Sequence, residues 1–264
     1  MQEDITTEFE RIRPQLRSYI LRMTASSADT DDIVQDTWIK ASQNIASFQG
    51  NSSLKTWLFS IASNLAKDNL RLKKRWTEDA NDICKQEALG NRAFFEEAMN
   101  IRKTSAQGNF EIKEHITFCF TCISKSLPLE QQVALLLKEV YAFKIKEIAE
   151  ILSISEAMSK YYLHVGRSKM IELFDRRCAI INKEGICHQC TELNGIFNPK
   201  QNAQEELMKI EMARDAETKD KEALFDLRMK IVQSIDPFES GASDLQLHHL
   251  EHNRQVMEAH LERA

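Results

Sequence analysis

Two cysteine pairs share one spacing, Cys119-Phe-Thr-Cys122 and Cys187-His-Gln-Cys190. Paired C-x-x-C steps are the ligand set of a tetrahedral four-cysteine zinc site, in which the thiolates close the coordination sphere. An i, i+3 step puts Cys119 and Cys122 on one face of a helix, and Gly185 and Gly195 flank the other pair as a knuckle loop requires. Three other readings stay open. The sulfurs suit small buried hydrophobes, above all Cys119 between Phe118 and Phe120; a thiol switch without metal; or a site in which His188 replaces one ligand. Cys84 and Cys178 are left over. A thioredoxin-like oxidoreductase is disfavoured, because no β-α-β pattern precedes either pair.

A second group of residues suits nucleic acid. Trp57 and Phe59 offer rings to unpaired bases, Asn64 an amide to a base edge, and Lys67 and Arg71 charge to phosphates. Phe59 reads equally well as core, since an aromatic at helical spacing usually packs. Arg71, Lys73, Lys74 and Arg75 form a basic cluster, which also fits a solvated helix end favoured by the macrodipole. Further on, the stretch from Lys144 to Ala157 has the spacing of a helix-turn-helix. Ile148 and Leu152 point inward, Ala149 is small at the crossing, Ile154 plugs the turn and Ser155 caps the second helix. That helix exposes Glu156, Ser159, Lys160, Tyr161, His164 and Arg167, side chains suited to major-groove edges and phosphates. An ordinary helical hairpin is the competing reading. Ser153 stands in the turn where glycine would tolerate a left-handed backbone, at a cost of ~1 kcal/mol.

Helices must hold most of these residues, with Cys187 and Cys190 in a loop. The apolar spacing predicts them over about 5–24, 29–46, 53–74, 129–140, 145–152, 156–175, 203–234 and 243–262. Ser26, Ser27 and Asp29 offer caps for the second, and Pro14 kinks the first or lies near its start. Residues 76–112 are weakly periodic and read as a partly helical linker; Asn182 to Pro199 is rich in turns. Among 264 residues only 7 are glycine and 4 proline, about a third of the ~12% of an average chain. Sandwiches, barrels and Gly-rich nucleotide-binding sheets need more of both, so an all-α fold is expected.

Basic and acidic residues number 26 each over 1–199, but 9 and 14 over 200–264, so the tail carries the whole net charge of −5. The acidic start lacks an apolar signal region, and the longest aliphatic run, Val133–Leu137, is far short of a membrane span. A cytoplasmic protein without membrane association is expected, where cysteines favour metal or redox roles over disulfides.

Four segments, taken in order, resemble one family. They are Asp29-Thr-Asp-Asp-Ile-Val-Gln-Asp-Thr-Trp-Ile-Lys-Ala41; Phe48-Gln-Gly-Asn-Ser-Ser-Leu-Lys-Thr-Trp-Leu58 with Ile61-Ala-Ser-Asn-Leu65; Leu127-Pro-Leu-Glu-Gln-Gln-Val-Ala-Leu135; and Glu147-Ile-Ala-Glu-Ile-Leu152. Over about residues 5–75 and 127–175 the chain resembles bacterial RNA polymerase sigma factors of the extracytoplasmic-function (ECF) class. Its cysteines are similar to those of a subgroup with a cysteine-bearing C-terminal extension.

The resemblance implies two DNA-binding modules: a sigma-two-like domain over 1–75 and a sigma-four-like helix-turn-helix domain over 113–177. A linker (76–112) would thread into the polymerase. A cysteine-bearing metal or redox segment (178–199) and an acidic helical extension (200–264) would follow. Asp31, Asp32, Gln35 and Asp36 would dock on core RNA polymerase. Phe48, Ser53, Trp57, Asn64, Lys67 and Arg71 would recognise and melt the minus-ten element, holding a flipped base from the single strand. Glu156, Ser159, Lys160, Tyr161, His164 and Arg167 would read the minus-thirty-five element as duplex. Cys119, Cys122, Cys187 and Cys190 would hold zinc. Gln49, Ser60, Tyr162 and Val165 stand where the family commonly has basic residues, which implies weak binding to free DNA.

An apolar stripe marks each tail helix: Leu207, Ile210, Ala213, Leu224, Leu227 and Ile231 in the first, Leu245, Leu250, Val256 or Met257, and Leu261 in the second. These helices read either as a regulator folded back on the DNA-binding modules or as a solubilising hairpin on the zinc segment. His248, His249, His252 and His260 include one i, i+4 pair with metal-ligand spacing, against the commoner solvated face. The expected function is that of a non-enzymatic transcription initiation factor, with an anti-sigma factor as a further partner. The alternative is a metal- or redox-sensing adaptor that uses the same scaffold for protein binding.

Overall fold

The computed structural model describes residues 2–104, 112–177, 220–241 and 243–263, and every regular element among them is helical. They form α1 (Gln2–Thr24), α2 (Ser27–Asn44), α3 (Leu54–Arg71), α4 (Ala80–Gly90), α5 (Arg92–Thr104), α6 (Ile112–Ser124), α7 (Leu129–Leu135), α8 (Ile145–Leu152), α9 (Glu156–Arg177), α10 (Lys221–Ser234) and α11 (Ser243–Arg263). Cys178, Cys187, Cys190, the turn-rich segment and the stripe residues Leu207, Ile210 and Ala213 lie outside the described residues. No helix among the described residues is long and apolar enough to cross a membrane.

Local chemistry sets the boundaries. Ser26 Oγ accepts the Asp29 N–H at 3.1 Å to start α2, and Ser53 Oγ accepts the Thr56 N–H at 3.1 Å to start α3. At α8 the Glu147 carboxylate reaches back to the Lys144 N–H at 2.7 Å. Pro14 lies inside α1. The segment expected to be a weakly periodic, partly helical linker contains two helices, α4 and α5, separated only by Asn91.

The chain folds into two compact units, each discontinuous in sequence. The first comprises Met1–Arg75 and Leu127–Gly166; the second comprises Trp76–Ser126 and Arg167–Ala264. This division differs from the sequence boundaries, since α6 joins the second unit and α9 contributes to both.

In the first unit α1, α2 and α3 pack around Leu16, Tyr19, Ile20, Ile33, Val34, Leu58 and Ala62, all buried. The opposite side of α3 packs on α8. There Phe59 is fully buried, its ring 4.8 Å from Phe143 and 5.3 Å from Tyr19. A π-helical turn, Leu136–Val140, follows α7 and delivers Tyr141, whose hydroxyl donates to Ser18 Oγ at 3.0 Å. The buried Gln132 ties the layers, donating to Arg22 O at 3.2 Å and accepting from Arg75 Nη2 at 2.6 Å.

In the second unit α11 packs against α4, α5 and α6, while α10 packs against α6. The stripe residues Leu224, Leu245, Leu250 and Met257 are buried as expected, together with Phe225 and Met229.

Candidate nucleic-acid interface

Helix α3 presents one stripe to solvent. Residues seven apart return to nearly the same direction, and Trp57, Asn64 and Arg71 follow that step. Trp57 is half-buried against Phe48, ring centres 5.3 Å apart, while Asn64 and Arg71 are exposed. Phe48 ends the short turn after α2, with its N–H donating to Ile45 O at 3.1 Å. The loop then passes Gly50, whose φ of 71° needs glycine's freedom, and reaches the cap Ser53. An aromatic pair, an amide and a guanidinium therefore line one open surface. Arg71 also pairs with Asp68 at 2.7 Å.

Lys67 does not join that surface. It is 8% exposed, and burial, followed by the field of Arg71, pulls its ammonium below the ordinary lysine value. Position 67 turns away from the 57–64–71 stripe toward the side of α3 that packs on residues 127–152. Of the basic cluster, Lys73 pairs with Asp29 at 3.0 Å, and Arg75 donates to Leu127 O at 2.7 Å and to Gln132. Burial lowers Arg75 to about 10. These two cations are structural ties within the first unit. Phe59 resolves as core. Ser60, which the resemblance set where a basic residue was expected, donates to Ile151 O on α8 at 3.4 Å, where the two helices pack together.

The acidic face of α2 is open. Asp31, Asp32, Gln35 and Asp36 are all exposed, with Asp31 held by Arg17 at 2.8 Å.

The helix-turn-helix has the expected geometry. Ser153 adopts the left-handed conformation (φ 55°, ψ 46°) and ends α8, and the Ile154 N–H closes back on Ala149 O at 3.0 Å. Ser155 Oγ accepts the Met158 N–H at 3.1 Å and starts α9. Glu156, Lys160, Tyr161 and His164 are exposed, Tyr161 by 57%. Ser159, expected on that exposed face, is fully buried, its hydroxyl donating to Ser155 O at 3.2 Å, because it lies on the inward side of α9. Exposed Met158 was missed; it lies one helical turn before Tyr161 and so belongs to the same face.

Arg167 is held inside the second unit. Its guanidinium contacts Asp226 Oδ1 at 2.6 Å and Glu222 Oε2 at 3.0 Å, both on α10, and stacks 4.7 Å from the Phe225 ring centre. Further along α9, Lys169 and Arg176 share Glu78, at 2.9 and 2.6 Å, which holds that carboxyl below its usual range; Arg177 pairs with Asp82 at 2.9 Å.

Of the four cysteines expected to bind zinc, Cys119 and Cys122 are described, both buried on α6. Asn81 Nδ2 donates to Cys119 Sγ at 4.0 Å, and Asn253 Nδ2 to Cys122 Sγ at 3.7 Å. Cys84 lies in the same core, donating to Asn253 O at 3.6 Å, and burial pushes its thiol up. Among the described residues no group of three or more His, Cys, Asp or Glu side chains is arranged to hold a metal ion. Three of the tail histidines instead lie around an aromatic ring: Phe94 on α5 stacks with His248 at 4.9 Å and His252 at 4.1 Å, and His249 is 5.2 Å away.

Comparison with known proteins matches residues 9–76 to the family described as Sigma-70 region 2 and residues 118–170 to Sigma-70, region 4. The ECF RNA polymerase sigma factor EcfG of Rhodopseudomonas palustris is 29% identical over 161 residues, covering 61% of this chain and 79% of that protein. The ECF RNA polymerase sigma-E factor of Escherichia coli is 32% identical over 126 residues, covering 48% and 63%. RNA polymerase sigma factor YlaC of Bacillus subtilis is 26% identical over 170 residues, covering 64% and 90%. Among solved structures, the sigma factor RpoE of Bartonella quintana, crystallised with the anti-sigma factor NepR, is similar at a TM-score of 0.44 and 20% identity, over 66% of this chain and 98% of that one. Residues 221–263 lie beyond both matched regions.

Proposed function

Because the chain belongs to the sigma-70 family of RNA polymerase sigma factors, in its ECF class, we propose that it engages core polymerase through Asp31, Asp32, Gln35 and Asp36 and opens promoters with α3. Sigma factors initiate transcription without catalytic groups of their own; bond formation belongs to the polymerase. In this reading the Phe48–Trp57 pair receives an unstacked base of the minus-ten element. Asn64 reads a base edge and Arg71 tracks the strand. The exposed face of α9, with Glu156, Lys160, Tyr161 and His164, meets the minus-thirty-five duplex. An anti-sigma factor would compete for the same surfaces.

The open Trp57–Asn64–Arg71 stripe is the observation that carries this reading. Transcription with purified core polymerase tests it. Promoter-dependent product is expected from the full chain, and Trp57→Ala and Asn64→Ala should each cut open-complex formation about tenfold, the scale of one lost base stack for Trp57 and of one lost base-edge contact for Asn64. No promoter-dependent product from the unaltered chain overturns it.

Regulation forms the finer part of the proposal. A zinc site of Cys119, Cys122, Cys187 and Cys190 rests on the paired spacing, and a bound cation would offset the burial that otherwise keeps thiols protonated. Metal analysis of the purified, reduced chain should find about one zinc per chain, lost in Cys119→Ser and in Cys187→Ser. Unchanged metal content and stability in both variants removes the site. The C-terminal extension acts, in the same proposal, on the DNA-binding modules.

A further inference from the structure

The C-terminal helix α10 makes specific contacts with one side chain of the helix-turn-helix. Arg167 lies one turn beyond His164 on α9, in line with the exposed end that the proposed function assigns to duplex DNA. Its guanidinium is taken on one side by Asp226 (2.6 Å) and Glu222 (3.0 Å), and its flat face by Phe225 (4.7 Å). Two anionic oxygens at hydrogen-bond distance are what a DNA phosphate would offer the same fork. The ring between them fixes the register of α10, since Phe225 is fully buried and packs toward Phe174 of α9 at 6.4 Å. Arg228, one turn further on α10, lies 4.5 Å over the Phe174 ring. The two carboxylates themselves stay open, with side chains 61% and 58% exposed. Buried groups therefore anchor the helix and exposed carboxylates hold the cation, so the ion pairs can exchange while the helix stays docked.

We infer that Glu222 and Asp226 of α10 occupy Arg167 in place of a DNA phosphate, so that the extension competes in cis with the minus-thirty-five duplex. This rests on the proposed role of α9 in binding DNA. Neutralising the two carboxylates returns one phosphate-binding cation to α9. Each phosphate contact contributes about 0.9 to the slope of log affinity against log salt.

The test uses the full chain and a short DNA duplex of arbitrary sequence, because a phosphate contact is independent of sequence. Glu222→Gln with Asp226→Asn should bind roughly fivefold tighter at low salt, with a slope steeper by about 0.9, and adding Arg167→Ala should remove both gains. A control with the same change in net charge, Glu239→Gln with Glu262→Gln, should leave both quantities near their starting values. Unchanged affinity and slope in the first variant overturn the inference, as does an equal gain in the control. Should the double variant lose helicity, Asp226→Asn alone carries the same expectation at smaller size. Transcription with core polymerase separates the two failures. Promoter-dependent product with no gain in duplex binding sinks only this inference, whereas absence of product from every variant sinks the proposed function.

Discussion

Ser153 adopts a backbone conformation that costs a residue with a Cβ about 1 kcal/mol or more, yet it closes the turn of the helix-turn-helix. The side chain is exposed, so the cost has no packing term to offset it. Ser153→Gly is expected to stabilise the chain by about 1 kcal/mol, visible as a higher urea midpoint at unchanged slope. This position was legible because turn geometry is local: a serine where glycine is wanted announces the strain. Lys67 and Ser159 were misplaced for the opposite reason. Helical spacing tells which residues share a face, but not which faces a distant segment will cover. For α3 the covering residues arrive more than fifty positions later.

At the scale of elements, amphipathic helices with Ser caps were read to within a few residues. The pair α4–α5 was not. Its buried residues Cys84, Ala88, Phe94 and Ala98 are mixed in type and spread over two short helices, so no single apolar period spans the segment. Their packing depends on α11, and that contact has a pH signature. Burial, and then the charge of His248, hold the His252 imidazole below its ordinary value. Glu87 acts in the opposite sense, and Glu97 lies 3.9 Å from His248 Nδ1. An unfolded chain takes up a proton that the folded chain refuses, so stability is full above the ordinary histidine value near ~6.5 and falls as pH drops below it. Urea midpoints of the full chain should decline between about pH 7.5 and about pH 5, and His252→Phe, which keeps the stack on Phe94, should flatten that decline.

For the whole molecule, the notable fact is that neither compact unit is a continuous stretch of chain. The family regions were legible as two blocks, about 5–75 and 127–175, against matched regions of 9–76 and 118–170. The compact units cut across them at Arg75, Ser126 and Gly166. Charge and periodicity are properties of neighbours in sequence, whereas this partition is set by Phe59 meeting Phe143, by Gln132 joining Arg22 and Arg75, and by Asn253 joining Cys84 and Cys122.

The covering of Phe59 by residues 127–152 also has a consequence in time. A chain leaves the ribosome from its N-terminus, so α1 to α3 emerge with the Phe59 side of their bundle bare. At roughly 5–20 residues per second, the stretch separating Arg75 from Gly166 takes on the order of ten seconds to synthesise. During that interval the nascent bundle displays an aromatic surface that its own later residues will claim. A chaperone's opportunity to bind it closes when those residues emerge.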